Sequence, residues 1–377
     1  MEKRLVSKPI PRSVERTTTC LWLVLCLGPI AVVLSSSIPL HAESKSVRGN
    51  YCWSPAQLLG AQRESKVTIT RRAYRSAPAG SVTGRWAGFK PTGKVIRRVE
   101  LPPGKKLVAF TFDLCEQPFE IAGYQGDIVD LLREHKVRAT FFAGGKWLLT
   151  HPERAAQLVG DPLFEVANHA WEHRFFPLLD QARMDAEVRA AQLAYQQVFT
   201  RLRDRRCLAL NGRPAFQNAA PQQRLFRFPF GACTPVAIKA VESHGLRAVQ
   251  WDVSSSDAWR GQSRNGIVRS VLKRVRPGSI VLFHANGRGW NTAKALTILI
   301  KRLRERGYEF AQVSELIAAG QPVYADKCYD FREGDVNRYL PVAIKLERSY
   351  NRFYKRLGKR HPGSPQSDPG SLTQNRD

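Results

Sequence analysis

From residue 105 onward the apolar positions of this chain alternate between two spacings. Runs dense in β-branched and aromatic residues read as seven strands: "KLVAFTFD" (106–113), "VRATFFAGG" (137–145), "LFEVANH" (163–169), "LFRFPFG" (225–231), "RAVQWDV" (247–253), "SIVLFHANG" (279–287) and "YEFAQVSELI" (308–317). Between them, at 126–136, 151–160, 180–202, 234–245, 265–275 and 292–307, apolar residues recur every three or four positions, the spacing of an amphipathic helix. Pro152 and Gly160 bracket one of these segments and Asp180 opens the longest, each where helix start and stop signals belong. Strands alternating with helices imply a parallel sheet, and their near-continuous apolarity implies cover on both faces. The expected fold class is α/β, a distorted barrel of seven β/α units.

Barrels of this kind place their chemistry at the C-terminal ends of the strands. Asp113 ends the first run, His169 ends the third, and His173 follows in the next loop. Arg227 sits near the end of the fourth run, Asp257 follows the fifth, and His284 lies near the end of the sixth. Singly, each has an ordinary reading. Asp113 is a strand-end carboxylate, Arg227 a salt-bridged arginine, Asp257 the N-cap of a turn and His284 a satisfied core histidine. Five strands delivering ionisable groups to one rim favour a common site instead.

His169 and His173 stand four apart, a spacing that lets both imidazoles share a divalent metal across one helical turn. A catalytic zinc takes about three protein ligands and keeps a position open for water. Attack on an amide or ester also needs a base, an acid and stabilisation of developing charge. Asp113 suits the base, oriented and kept ionised by Arg227. His284 suits the acid, held protonated by Asp257.

The net charge is +27 with 43% hydrophobic residues. That describes a folded chain attracted to polyanions without choosing among nucleic acid, anionic lipid and acidic glycan. Residues 1–42 read as an export signal: Lys3, Arg4, Lys8, Arg12 and Arg16 precede the apolar run 20–34, and "PLHA" ends at Ala42. The run is shorter than the ~20 residues of a membrane span. A cleaved signal and a periplasmic or extracellular protein are expected, with an uncleaved anchor as the alternative. Export and the lack of a recognised nucleic-acid motif argue against a nucleic-acid partner. Residues 43–104 form an arm with ten basic and two acidic residues between 51 and 100. It is either a solvated leader wrapping the domain or a peripheral tether to an anionic envelope. Residues 321–377 read as a C-terminal extension, an amphipathic helix followed by a disordered tail, and the chain is expected to be a monomer. Of seven cysteines, five follow the signal, so at least one is unpaired in an oxidising compartment. A bond between Cys52 and Cys328 would clamp the two ends together.

Five blocks now stand in order: "TFDLCE" (111–116), "NHAWEH" (168–173), "RFPFG" (227–231), "SSSDAW" (254–259) and "IVLFH" (280–284). With them, residues 105–320 resemble the polysaccharide deacetylases of the NodB-homology type, carbohydrate esterase family 4. The resemblance implies a distorted (β/α)7 barrel and a metal-dependent deacetylase, with zinc the expected metal and an acetylated glycan the substrate. It implies that His169 and His173 hold the metal, that Asp113 is the base beside Arg227, and that Asp257 tunes the acid His284. The backbone N–H of Phe230 would stabilise the oxyanion, and Trp259, one residue late in its block, would contact sugar. One position departs: Leu114 stands where the family has a metal-binding Asp. Glu116 is the first candidate to replace it, because a carboxylate restores the missing charge and an exported thiol is open to oxidation. A Cys115 thiolate is the second candidate, and a weak site in a degenerate relative is the third reading. The expected function is an exported metal-dependent deacetylase removing N-acetyl (or O-acetyl) groups from an envelope or secreted glycan. The alternatives are a catalytically degenerate glycan-binding protein and a small-molecule amidase of the same fold.

Overall fold

The structure, a computed structural model, describes residues 52–83, 88–205, 220–360 and 362–363. The export signal, Cys207 and most of the C-terminal tail lie outside them. In chain order the strands are β1 (Thr68–Ile69), β2 (Val95–Glu100), β3 (Leu107–Leu114), β4 (Glu120–Ile121), β5 (Ala139–Ala143), β6 (Phe164–Asn168), β7 (Leu225–Phe226), β8 (Arg247–Ala248), β9 (Val253–Ser254), β10 (Ile280–His284), β11 (Glu309–Phe310) and β12 (Gln321–Ala325). β3 is buried at seven of its eight positions, as continuous apolarity demands of a strand covered on both faces. It pairs in parallel with β5 and β10. The sheet runs β8-β7-β6-β5-β3-β10-β9, with β11 beside the start of β3. Phe112 stacks between Phe141 and Phe283, with ring centroids 5.3 and 5.4 Å away, in the main core. The result is the α/β, curled and incompletely closed parallel barrel that the two spacings imply.

Two runs differ from their sequence reading. Residues 247–253 are not one strand: β8 pairs with β7 at one edge of the sheet, and β9 pairs with β10 at the other. Between them the chain crosses the seam, where Gln250 N–H donates to the Ile96 carbonyl at 2.8 Å and Val249 bridges Ile96. β2 thus covers the open seam, with β12 antiparallel on its far side, and satisfies backbone groups that an open edge would leave unpaired. Residues 308–317 hold only the two-residue β11. Val313–Ala318 is a helix, because Gln312 and Glu315 form a capping box and Val313 and Leu316 are buried at helical spacing.

The predicted C-terminal amphipathic helix is Leu340–Arg356, with Ala343, Tyr350, Phe353 and Tyr354 buried. It docks behind the histidine loop. Arg174 Nε donates to Glu347 at 2.6 Å, and the Tyr354 hydroxyl donates to Glu172 at 2.7 Å. The expected Cys52–Cys328 clamp is not formed: Cys328 pairs with Cys233, because β12 brings the start of the extension back over β2. Cys52 is also disulfide-bonded, and Cys115 is free and buried. Among the described residues no helix is long and apolar enough to cross a membrane.

Candidate active site

The parallel register of β3 and β10 sets Asp113 directly beside His284. Arg227, just past β7, is fully buried. Its Nη1 donates to Asp113 Oδ1 and to Thr111 Oγ1, both at 2.8 Å, and its Nη2 donates to the Gln250 carbonyl at 3.2 Å. The guanidinium lies 3.9 Å above the Phe142 ring. A guanidinium fixed at two acceptors holds the carboxylate in one orientation. Its second oxygen, Oδ2, lies 3.6 Å from His169 Nε2.

His169 is held by its other nitrogen. Nδ1 lies 2.9 Å from the Arg227 carbonyl, which only accepts, so Nδ1 carries the proton and Nε2 carries the lone pair. That Nε2 is buried and has no hydrogen-bond partner. The His173 ring centroid is 5.1 Å away. Burial holds both imidazoles below their usual pKa, His173 far below, with the charge of Arg288 adding to the effect there. Both rings are thus biased toward the neutral form, the form that offers a lone pair. One ligand atom each from Cys115, His169 and His173 lies within 4.8 Å of the others. Burial pushes the Cys115 thiol up to about 12, and a neighbouring divalent cation would reverse that preference.

Glu116 does not take the place that charge suggested for it. Its Oε1 pairs with Lys146 at 2.9 Å, and its Oε2 accepts from Thr150 Oγ1 and the Ala122 N–H at 2.9 and 3.0 Å. Glu116 and Lys146 are both fully buried. The reason is the period of extended chain: residues 113 and 115 face one way, 114 and 116 the other. Leu114 accordingly joins the main core.

The remaining groups close the site. His284 Nδ1 lies 2.8 Å from Asp257 Oδ1, and Asp257 Oδ2 accepts from the His284 N–H at 2.8 Å and from Thr292 Oγ1 at 2.7 Å. Burial alone would lower the imidazole pKa, but the Asp257 carboxylate, in hydrogen bond and in charge, holds it above the usual value. Phe230 sits at φ 58°, which turns its backbone at the rim, and its ring lies 4.6 Å from that of His173. Gly231 follows at φ 64°, where an added Cβ would meet the Trp251 ring at 2.6 Å. Ala170, His173 and Ser256 also have positive φ, a cost that clusters at functional loops. Asp113, Cys115, His173, His284 and the 67%-exposed Trp259 line one cavity of about 670 Å³.

Sequence reasoning missed several members. Thr111 and Thr292 orient Arg227 and Asp257, yet a lone threonine carries no signal. Arg288 and the C-terminal residues Phe331, Arg338 and Tyr339 also line the cavity. The basic and aromatic character of the C-terminal extension was the available clue.

A polysaccharide deacetylase family model matches residues 100–208. A chitooligosaccharide deacetylase of Bradyrhizobium sp. (strain ANU 289) is 32% identical over 243 residues, spanning 60% of this chain and 98% of that protein. The chain belongs to the polysaccharide deacetylase family. A second family relative, a peptidoglycan-N-acetylglucosamine deacetylase of Bacillus cereus, is 27% identical over 231 residues, 61% of this chain and 95% of its own length. Among solved structures, a family 4 carbohydrate esterase from Streptomyces lividans in complex with acetate is 24% identical, covering 60% of this chain and 97% of that one, with a TM-score of 0.44. A CE4 family pseudoenzyme from Bacillus anthracis is also 24% identical, covering 60% and 69%, with a TM-score of 0.48.

Proposed function

We propose that this polysaccharide deacetylase is a metal-dependent N-deacetylase of an acetylated envelope or secreted glycan, working outside the cytoplasm. The observation that carries the reading is the orphaned, fully buried Nε2 of His169, its lone pair fixed by the bond at Nδ1 and facing Asp113, His173 and Cys115. A buried polar atom without a partner costs about 1–3 kcal/mol, which a cation would recover. A thiolate and two imidazoles suit zinc better than magnesium or calcium. Held by His169, His173 and Cys115, the metal would polarise the acetyl carbonyl and make a water acidic near neutral pH.

The chain's own groups supply the rest. Water adds to the acetyl carbon while Asp113 accepts its proton. The Phe230 N–H hydrogen-bonds the developing oxyanion. As the carbon–nitrogen bond breaks, His284 gives a proton to the leaving nitrogen, so the products are acetate and a glycan amine. Arg227 aims Asp113, Asp257 keeps His284 charged, and Trp259 offers an aromatic face to a sugar ring. Export is supported by the 1–42 leader and by the Cys233–Cys328 disulfide, a bond of oxidising compartments.

A pair of substitutions tests the ligand set. Cys115→Ser is expected to lower zinc affinity by more than about 100-fold, the upper end of what losing even an outer-shell partner costs, with acetate release falling in step. Glu116→Gln is expected to keep zinc but to lower stability by about 3–5 kcal/mol, because Lys146 is left buried without its counter-charge. Metal analysis after dialysis and urea unfolding read these out. Zinc retained by Cys115→Ser and lost by Glu116→Gln would reverse the assignment.

A further inference from the structure

The helix Leu340–Arg356 has two unlike faces. Ala343, Tyr350, Phe353 and Tyr354 are buried, and Glu347, the helix's one acid, is taken by Arg174. Lys345, Arg348, Arg352, Lys355 and Arg356 are exposed, and at 3.6 residues per turn they fall within about 100° of helical arc. Arg348 and Arg352 stand four apart, as do Arg352 and Arg356, a spacing at which like charges oppose the helix. A stripe that works against its own helix is not explained by folding. The family match spans residues 100–208 and so includes neither this helix nor the arm that lies against it.

The arm completes the surface. β1 pairs with β4, and the Thr70 N–H donates to the Phe119 carbonyl at 2.9 Å. Tyr74 meets Tyr354 edge-on with ring centroids 6.0 Å apart, and Phe119 meets Phe353 at 6.2 Å. Through these contacts Arg71, Arg352 and Arg356 line one cavity of about 460 Å³ together with Ile69, Phe119 and Phe353. Three guanidiniums offer a phosphodiester charge-assisted donors, and the apolar lining covers the carbons next to it. Ile69 is 66% exposed, and Leu340, Val342 and Ile344 are exposed at the start of the helix. Apolar side chains set among cations favour a lipid surface over a hydrophilic polyanion, which has no use for them. Clusters of about 4–8 basic residues on an amphipathic helix suit anionic lipid for the same electrostatic reason.

We propose that the exposed face of this helix, with Ile69 and Arg71 of the arm, docks on a bilayer rich in anionic phospholipid, with headgroup phosphates on the arginines and Ile69 at the acyl boundary. The attachment does not depend on the acetyl chemistry, and its test reads binding and turnover separately. The full chain is sedimented with vesicles of equal parts phosphatidylglycerol and phosphatidylcholine, and with vesicles of phosphatidylcholine alone. Wild type should prefer the anionic vesicles. The triple variant Arg348→Gln/Arg352→Gln/Arg356→Gln should bind them about 100-fold more weakly, at about fivefold for each basic residue near a charged membrane. Its melting temperature should not fall, and its acetate release from soluble N-acetylglucosamine pentamer should equal that of wild type. Ile69→Ser should weaken vesicle binding and leave binding to soluble polyphosphate unchanged. A triple variant that binds as tightly as wild type would overturn the proposal. So would equal binding of wild type to both kinds of vesicle, which the apolar run 20–34 would explain by itself. Tight binding to polyphosphate, with vesicle binding indifferent to Ile69→Ser, would overturn the lipid assignment in favour of a soluble polyanion. Vesicle binding lost in the triple variant of a protein that releases no acetate would keep the attachment and sink only the deacetylase reading.

Discussion

His284→Ala is expected to lower kcat for acetate release by about 10²–10⁴-fold, the usual contribution of a positioned general acid, with zinc content unchanged. The imidazole sits beside Asp113 on the rim and is held by Asp257, which also accepts from its backbone N–H, so its removal takes away a proton donor and little packing. The pH profile carries the same information. Asp257 raises the folded pKa of His284, so the acid keeps its proton to higher pH and activity falls as pH rises through that raised value. Asp257→Asn withdraws the charge, and the alkaline fall should move to lower pH. Stability follows the same sign: the pair stabilises fully below the ordinary imidazole value of ~6.5 and loses its contribution as pH rises through the folded one. An alkaline limb that does not move in Asp257→Asn would contradict the role given to this pair.

Arg227→Leu is expected to cost about 3–5 kcal/mol of stability, because it leaves Asp113 charged and buried without a partner. Arg227 also donates to Thr111 and to the backbone at the seam and lies over Phe142, so the loss belongs at the upper end. Activity should fall with it, since Asp113 then loses the donor that aims its carboxylate. The double variant Asp113→Asn/Arg227→Leu removes both charges and should recover part of the stability, a non-additivity that a double-mutant cycle reads directly. Urea unfolding of the four proteins measures it. Strict additivity would mean that the two side chains do not depend on each other.

Much of this site is legible in the chain because strand ends are. Asp113, His169, Arg227 and His284 each close or nearly close an apolar run, and a parallel sheet brings run ends to one edge whatever its curvature. Glu116 carries the charge that the site lacks, but the backbone period turns it away to Lys146 and Thr150. The alternation that buries Leu114 in the core also turns Glu116 toward Lys146 and Cys115 toward the histidines. The split of 247–253 into β8 and β9 had no local sign, since nothing in "RAVQWDV" tells a strand from a strand that crosses a seam. The part of the cavity lined by Phe331, Arg338 and Tyr339 follows a disulfide across 95 positions, and such a pairing is not written in spacing.

The most direct measurement is acetate and free-amine release from N-acetylglucosamine pentamer by the full chain reconstituted with zinc. The prediction is release of both products in equal amounts, lost on chelation, restored by zinc, and absent from His169→Ala. Zinc-loaded, folded protein that releases neither product, or a His169→Ala variant that works as well as wild type, would contradict the convergence of imidazoles, thiol and carboxylate on one reacting acetyl group.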